Sequence, residues 1–312
     1  MRLTVFFSHN DCLQHETPPG HPEQIARLVS IAKALGGKKF DALARVEAPL
    51  SANVDILRCH PAPYLERVQV TVPTEGWAAL DADTHMSPGT LQAAYRAVGA
   101  NIAAVECVLS GNAKNAFIAC RPPGHHAETA KAMGFCLFGN VAIAAKYALD
   151  VHGLSRVAVI DFDVHHGNGT QDLLWDEART LFCSTHEMPL FPGSGAASET
   201  GAHGNILNQP LAAMTGSKEM RATYSNIILP AVEAFDPELI LVSAGFDAHT
   251  ADPLASLNWS TDDFAWLTGR ICDVANICCQ GRVVSTLEGG YDLKALADSV
   301  AAHVGVLMEH SQ

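Results

Sequence analysis

Charge is scarce in this chain of 312 residues: 17% are Asp, Glu, Lys or Arg, against 48% apolar. So little charge excludes an extended, solvated chain, and the apolar share is ample for a folded core. Long apolar runs are missing too. None approaches the ~18 residues of a membrane helix, and the opening Met1 to Phe7 breaks at Ser8-His9-Asn10-Asp11 before the apolar region of a signal peptide could form. A protein that neither spans a membrane nor is secreted is expected, with a cytoplasmic location. Positive charge is the scarcer sign. Twenty basic residues face 33 acidic ones, a balance that repels a phosphate backbone, so nucleic acid is not expected as a partner. The nine cysteines are an odd number with no CxxC pair among them, and most sit in apolar runs such as Phe117-Ile118-Ala119-Cys120 and Leu181-Phe182-Cys183. Buried thiols of a reducing compartment are expected, not disulfides or a thiolate zinc site. No linker, low-complexity tract or repeat divides the chain, and one domain over residues 1–312 is expected.

What is present is an alternation. Short β-branched or apolar runs at Leu3–Phe7, Ala116–Cys120, Arg156–Ile160, Thr180–Cys183, Leu239–Ser243 and Arg282–Leu287 end in loops dense with Gly, Pro, His and Asp. Between them, helical periodicity runs over 88–109, 141–151, 217–235, 262–278 and 293–308. Ser87-Pro88 and Ser260-Thr261-Asp262-Asp263 supply helix starts, and Gly111 supplies a C-cap. This pattern predicts one wound α/β domain with a parallel sheet. Ligands of such sheets bind outside the carboxyl ends of the strands, where the polar clusters of this sequence fall.

The strand Arg156–Ile160 opens into Asp161-Phe162-Asp163-Val164-His165-His166-Gly167-Asn168-Gly169. Asp163 and His165 form a chelating pair, and the isolated acid Asp247 after Leu239–Ser243 is the candidate third ligand. Two carboxylates and one imidazole suit a catalytic Zn²⁺ or a similar divalent ion with an open coordination position. Two anionic ligands weaken its Lewis acidity, so a neighbouring base is needed. Arg121-Pro122-Pro123-Gly124-His125-His126-Ala127-Glu128 presents two adjacent histidines after another strand, suited to acid/base work. Glu288-Gly289-Gly290-Tyr291 adds a phenol that could stabilise an oxyanion. Together these groups specify amide or ester hydrolysis.

Five motifs in order, RPPGHHAE at 121–128, GFCLFGNVAIAA at 134–145, DFDVHHGNGTQ at 161–171, SAGFDAH at 243–249 and LEGGY at 287–291, resemble the histone deacetylase family, and HPEQIAR at 21–27 is similar to the first loop of its class II. The resemblance implies the arginase/deacetylase α/β fold, with a central parallel sheet of about eight strands flanked by helices and one zinc at the foot of a narrow channel. It implies Asp163, His165 and Asp247 as zinc ligands, His125 and His126 as the acid/base pair, and Tyr291 as the transition-state tyrosine. Gly134, Phe135 and Phe191 match channel positions, where two parallel phenyl faces would accept a methylene chain. Asp161 matches the acid that orients His125. It also matches a ligand of a structural potassium ion, with the main chains of Asp163, His165 and Thr185 and the Ser184 hydroxyl. Where class I enzymes carry an aspartate partner for the second histidine, this chain has Asn168, a neutral amide that leaves His126 with a lower pKa and favours it as general base.

Leu254 stands at the gate where polyamine-selective relatives carry an acid, and a leucine cannot pair with a secondary ammonium. Met133, Met86 and His85 are further candidates for the rim. The expected substrate is an acylated lysine peptide or another small acylated amine. The alternatives are an acetylpolyamine amidohydrolase and, in another class, a non-catalytic acyl-lysine-binding protein. An arginase-like enzyme would need additional bridging aspartates that the DFDVHH loop lacks. No heptad or long exposed apolar stripe is visible, and both a monomer and a homodimer fit.

Overall fold

The computed structural model describes residues 3–311; Met1, Arg2 and Gln312 lie outside the described segment. Among the described residues ten strands occur in chain order: β1 (Leu3–Ser8), β2 (Ala44–Glu47), β3 (Ala78–Ala79), β4 (His85–Met86), β5 (Ala113–Ile118), β6 (Val157–Asp161), β7 (Thr180–Glu187), β8 (Ile206–Leu211), β9 (Leu239–Ala244) and β10 (Val283–Leu287). Eight of them form one sheet in the order β2-β1-β5-β10-β9-β6-β7-β8, and β3 and β4 form a separate hairpin. Every pairing in the large sheet is parallel. Helices cover both faces, so β6, β7, β9 and β10 are buried along their whole length. That is why β6 and β9 open as unbroken apolar runs, Val157–Ile160 and Leu239–Val242, rather than as alternating patterns, while β7 and β10 bury polar residues such as Ser184 and Ser285 among apolar ones. The result is a single domain with an eight-stranded parallel sheet flanked by helices.

The sheet order decides where the chemistry sits. β5, β10, β9 and β6 are four consecutive strands, in register at Val284↔Ala116, Ser285↔Val242 and Ile160↔Val242. Because all are parallel, their carboxyl ends open on one edge. The loops carrying His125-His126, Tyr291, Asp247 and Asp163-His165 therefore converge although they are far apart in sequence. The loop carrying Phe191 follows β7, the next strand along.

The structure revises several local expectations. β5 starts at Ala113 and stops at Ile118, and the helix expected from Pro88 starts at Thr90. Ser87 is not its cap: the Thr90 hydroxyl accepts the Ser87 N–H at 2.8 Å, and the Thr90 N–H donates to the Ser87 carbonyl at 3.0 Å, closing a turn around Pro88-Gly89. Ser260 does occupy the N-cap position of its helix, but the capping carboxylate is that of Asp263, whose Oδ2 accepts the Ser260 N–H at 2.9 Å and the Ser260 hydroxyl at 2.8 Å. Gly111 lies beyond the helix Thr90–Leu109 at φ +77°, the left-handed value that a C-terminal cap requires. The segment 217–235 is helical throughout but widens into a π turn at Tyr224–Ile228. Pro230 lies just beyond this turn; its ring cannot donate to the preceding turn and crowds it. β2 and β8, both at sheet edges, were not foreseen.

Candidate active site

β6 ends at Asp161, so Asp163 and His165 sit in the loop that follows, where backbone N–H groups hold the carboxylates. Asp163 Oδ1 accepts the His165 N–H at 2.9 Å and Oδ2 accepts the Gly289 N–H at 2.8 Å. Asp247 Oδ1 accepts the Val164 N–H at 3.0 Å. His165 Nδ1 then lies 3.1 Å from Asp163 Oδ1 and 3.2 Å from Asp247 Oδ2. One donor atom from each of the three residues falls within 4.8 Å of the others. Burial opposes charge on His165, but the two carboxylates outweigh it and hold its pKa up to about 10. The cluster thus calls for positive charge. Two oxygen donors and one nitrogen, all buried and convergent, fit a divalent cation with an open position. Gly289 is required here, because a Cβ at that position would lie 2.0 Å from Asp247 Oδ2.

His125 and His126 stack obliquely beside this cluster, ring centroids 4.0 Å apart. His125 Nδ1 is 3.0 Å from Asp161 Oδ2, and its Nε2 faces Asp163 Oδ2 at 3.8 Å. Burial disfavours the imidazolium of His125, yet Asp163 and Asp161 raise its pKa well above the usual histidine value. His126 goes the other way. Burial, and then the charges of His125 and His165, push it well below the usual value. Its Nδ1 meets Asn168 Oδ1 at 2.8 Å. One histidine of the pair is thus disposed to be charged and the other neutral, which separates their roles.

A cavity of about 200 Å³ leads to this point, walled by Gly134, Phe135, Phe191, Leu254, His126 and Tyr291. Phe191 stands edge-on to His126 at 5.1 Å, and Phe135 edge-on to Tyr291 at 6.0 Å and to His21 at 4.6 Å. Phe135 holds φ +69°, an uncommon value for a bulky residue, fixed by its N–H bond to Thr84 Oγ1 at 3.0 Å. Gly134 must lack a Cβ, which would come within 2.4 Å of the His126 ring. Ser184 Oγ lies 2.9 Å from His186 Nδ1, and the Thr185 hydroxyl meets Tyr224 OH at 2.7 Å. Two rim candidates are corrected: Met86 is fully buried, and Met133 is buried with its sulfur against the Asn168 amide.

Several residues escaped the sequence reading. Asp83 lines the cavity mouth and accepts the Gly134 N–H at 3.1 Å. Glu288, fully buried, accepts the Gly124 N–H at 2.7 Å and the His125 N–H at 3.2 Å; burial lifts its pKa to about 7. Arg27 donates to the carbonyls of Gly290 and Glu288, with its guanidinium carbon 5.0 Å from the Tyr291 ring centroid. Asp252 accepts the Tyr291 N–H. All four act on backbone groups remote in sequence, a role with no motif of its own.

Residues 21–307 match the histone deacetylase domain. The chain belongs to the histone deacetylase family. Histone deacetylase 14, chloroplastic, of Arabidopsis thaliana is 40% identical over 317 residues, covering 95% of this chain and 75% of that one. The histone deacetylase-like amidohydrolase of Pseudomonas aeruginosa is 38% identical, covering 93% and 82%. The crystal structure of the HDA15 HD domain superposes with a TM-score of 0.94 at 30% identity, over 99% of this chain and 88% of that one. The protein is therefore a hydrolase of the deacetylase family, metal-dependent and of the arginase/deacetylase fold. Among the described residues no helix is long and apolar enough to cross a membrane.

Proposed function

We propose that this protein is a zinc-dependent amidohydrolase that removes an acetyl or related acyl group from an acylated lysine side chain. The observation that carries the reading is the set of groups at the foot of the cavity: the Asp163, His165 and Asp247 donors, a neutral His126 beside them and a phenol on the wall. A cation held by Asp163, His165 and Asp247 would supply Lewis acidity to the acyl carbonyl and to the attacking water.

The chain's own residues do the rest. Phe135, Phe191 and Leu254 seat a methylene chain on apolar surface and keep water out. His126, neutral near pH 7, takes the proton of the attacking water at Nε2, the nitrogen left free by Asn168. Tyr291 stays protonated, since burial raises its pKa well above the ordinary phenol value, and donates its O–H to the oxygen that becomes negative. The leaving amine receives a proton from the histidine pair, where His125 is disposed to hold one. The same reading includes a potassium ion held by Asp161 and Ser184 with the main chains of Asp163, His165 and Thr185.

A second reading rests on Asp83. An acid does line the cavity and could pair with the ammonium of an acetylated polyamine. The deciding experiment compares kcat/KM on an acetyl-lysine peptide and on N-acetylspermidine at one pH and salt concentration. Preference for the peptide supports lysine deacylation gated by Leu254, and preference for the polyamine overturns it in favour of Asp83.

A further inference from the structure

Neutral His126 can serve as base only if its proton is on Nδ1 and the Nε2 lone pair is free. Its partner alone does not secure this. An amide such as Asn168 can present either its oxygen or its NH₂, and the imidazole can answer either one.

The other side of Asn168 removes the ambiguity. Its Nδ2 lies 2.7 Å from Glu128 Oε1 and 3.4 Å from Met133 Sδ. A carboxylate and a thioether only accept, so the amide atom facing both must be the NH₂. The oxygen is then turned to His126 Nδ1 at 2.8 Å, and because that oxygen only accepts, Nδ1 carries the hydrogen. Glu128 is itself pinned: its N–H bonds the Lys131 carbonyl at 3.0 Å, closing a tight turn. Asn168 opens the helix Asn168–Leu174, directly after Gly167.

We propose that Glu128 is a positioning residue that sets the tautomer of His126 through Asn168. The proposal rests on the assignment of His126 as base. A carboxylate at position 168 would enforce the same tautomer but would also stabilise the imidazolium. Here the carboxylate is one residue removed, so the tautomer is fixed while His126 stays neutral.

The test measures histidine side-chain ¹⁵N shifts in the full-length protein, which distinguish Nδ1–H from Nε2–H, with His126→Gln identifying the signal. Kinetics on an acetyl-lysine peptide run in parallel. The wild type is expected as Nδ1–H. Glu128→Gln still offers a carbonyl acceptor and should keep both tautomer and kcat within a few-fold. Glu128→Lys only donates, so Asn168 should flip, His126 should become Nε2–H, and kcat should fall about 10²–10⁴-fold with KM little changed. Adding Asn168→Asp to Glu128→Lys should restore the Nδ1–H form and most of kcat. The proposal is overturned if Glu128→Lys leaves the Nδ1–H form in place, or if Asn168→Asp fails to restore it. The shifts need no turnover, so an inactive protein would overturn the functional reading while still deciding this one.

Discussion

The Asp252 carboxylate joins the Tyr291 loop to the cavity wall: Oδ2 accepts the Tyr291 N–H at 2.7 Å, and Oδ1 accepts the Leu254 N–H at 3.0 Å. Oδ2 also reaches the Asp292 N–H at 3.4 Å, so one buried side chain gathers three backbone donors from two loops. An amide has only one acceptor end. Asp252→Asn should therefore turn an NH₂ against one loop and displace either Tyr291 or Leu254. Misplacement of this kind costs about 10–100-fold in kcat. Steady-state kinetics over acyl chains of increasing length will show it, because a shifted Leu254 alters chain-length preference while a shifted Tyr291 lowers kcat for every chain.

Burial and the charges of His125 and His165 hold the pKa of His126 down. Since the base must be neutral, activity falls as pH drops through that lowered pKa, so the acid limb of kcat/KM should lie below the ordinary histidine value of about 6.5. Asn168→Asp puts a negative charge beside the ring and should move the limb upward. A pH–rate profile of the two proteins from pH 4 to 8 checks both statements, and His126→Ala should lose about 10²–10⁴-fold in kcat at every pH.

Under the first loop, Glu23 is fully buried between Arg121 and Arg27, with Arg27 Nη1 at 2.9 Å from Oε1 and Arg121 closing a two-pronged pair. Burial opposes its charge, but Arg121, His15 and Arg27 outweigh that and keep its pKa well below the usual carboxylate value. Glu23→Gln leaves two buried guanidinium groups short of a counter-charge, and a loss of about 3–5 kcal/mol is expected in urea unfolding near pH 7. The sign with pH follows from a depressed folded-state pKa. The ionised pair contributes fully above about pH 4.5, and its contribution disappears as pH falls toward the folded-state value. The gap between wild type and Glu23→Gln should shrink over that range.

Legibility in the sequence tracked burial and locality. β6 and β9 were readable because both faces are covered and their residues run apolar over Val157–Ile160 and Leu239–Val242, and β5 and β10 because each holds a shorter apolar stretch, Ala116–Ile118 and Val283-Val284. Edge strand β2 exposes three of its four residues, and β8 carries Asn208, Gln209 and Pro210, so neither shows such a run. Asp163, His165, Asp247, His125, His126 and Tyr291 all stood out because each follows a strand at the same edge of the sheet, and the structure brings all six together. Arg27 and Gly290 lie 263 positions apart and meet through a backbone carbonyl. Such a contact leaves no spacing to read. Ser87-Pro88 failed as a helix start because its turn closes on the Thr90 hydroxyl instead.

Amide hydrolysis by this protein is proposed to depend on a cation held by Asp163, His165 and Asp247. The most direct measurement is acetate release from an acetyl-lysine peptide by protein stripped with a chelator and titrated with zinc, alongside Asp247→Asn. Activity is expected to vanish on stripping, to return linearly to a plateau at one equivalent, and not to return in the variant. Undiminished turnover after metal removal, or one equivalent of zinc bound without acetate release, would contradict it.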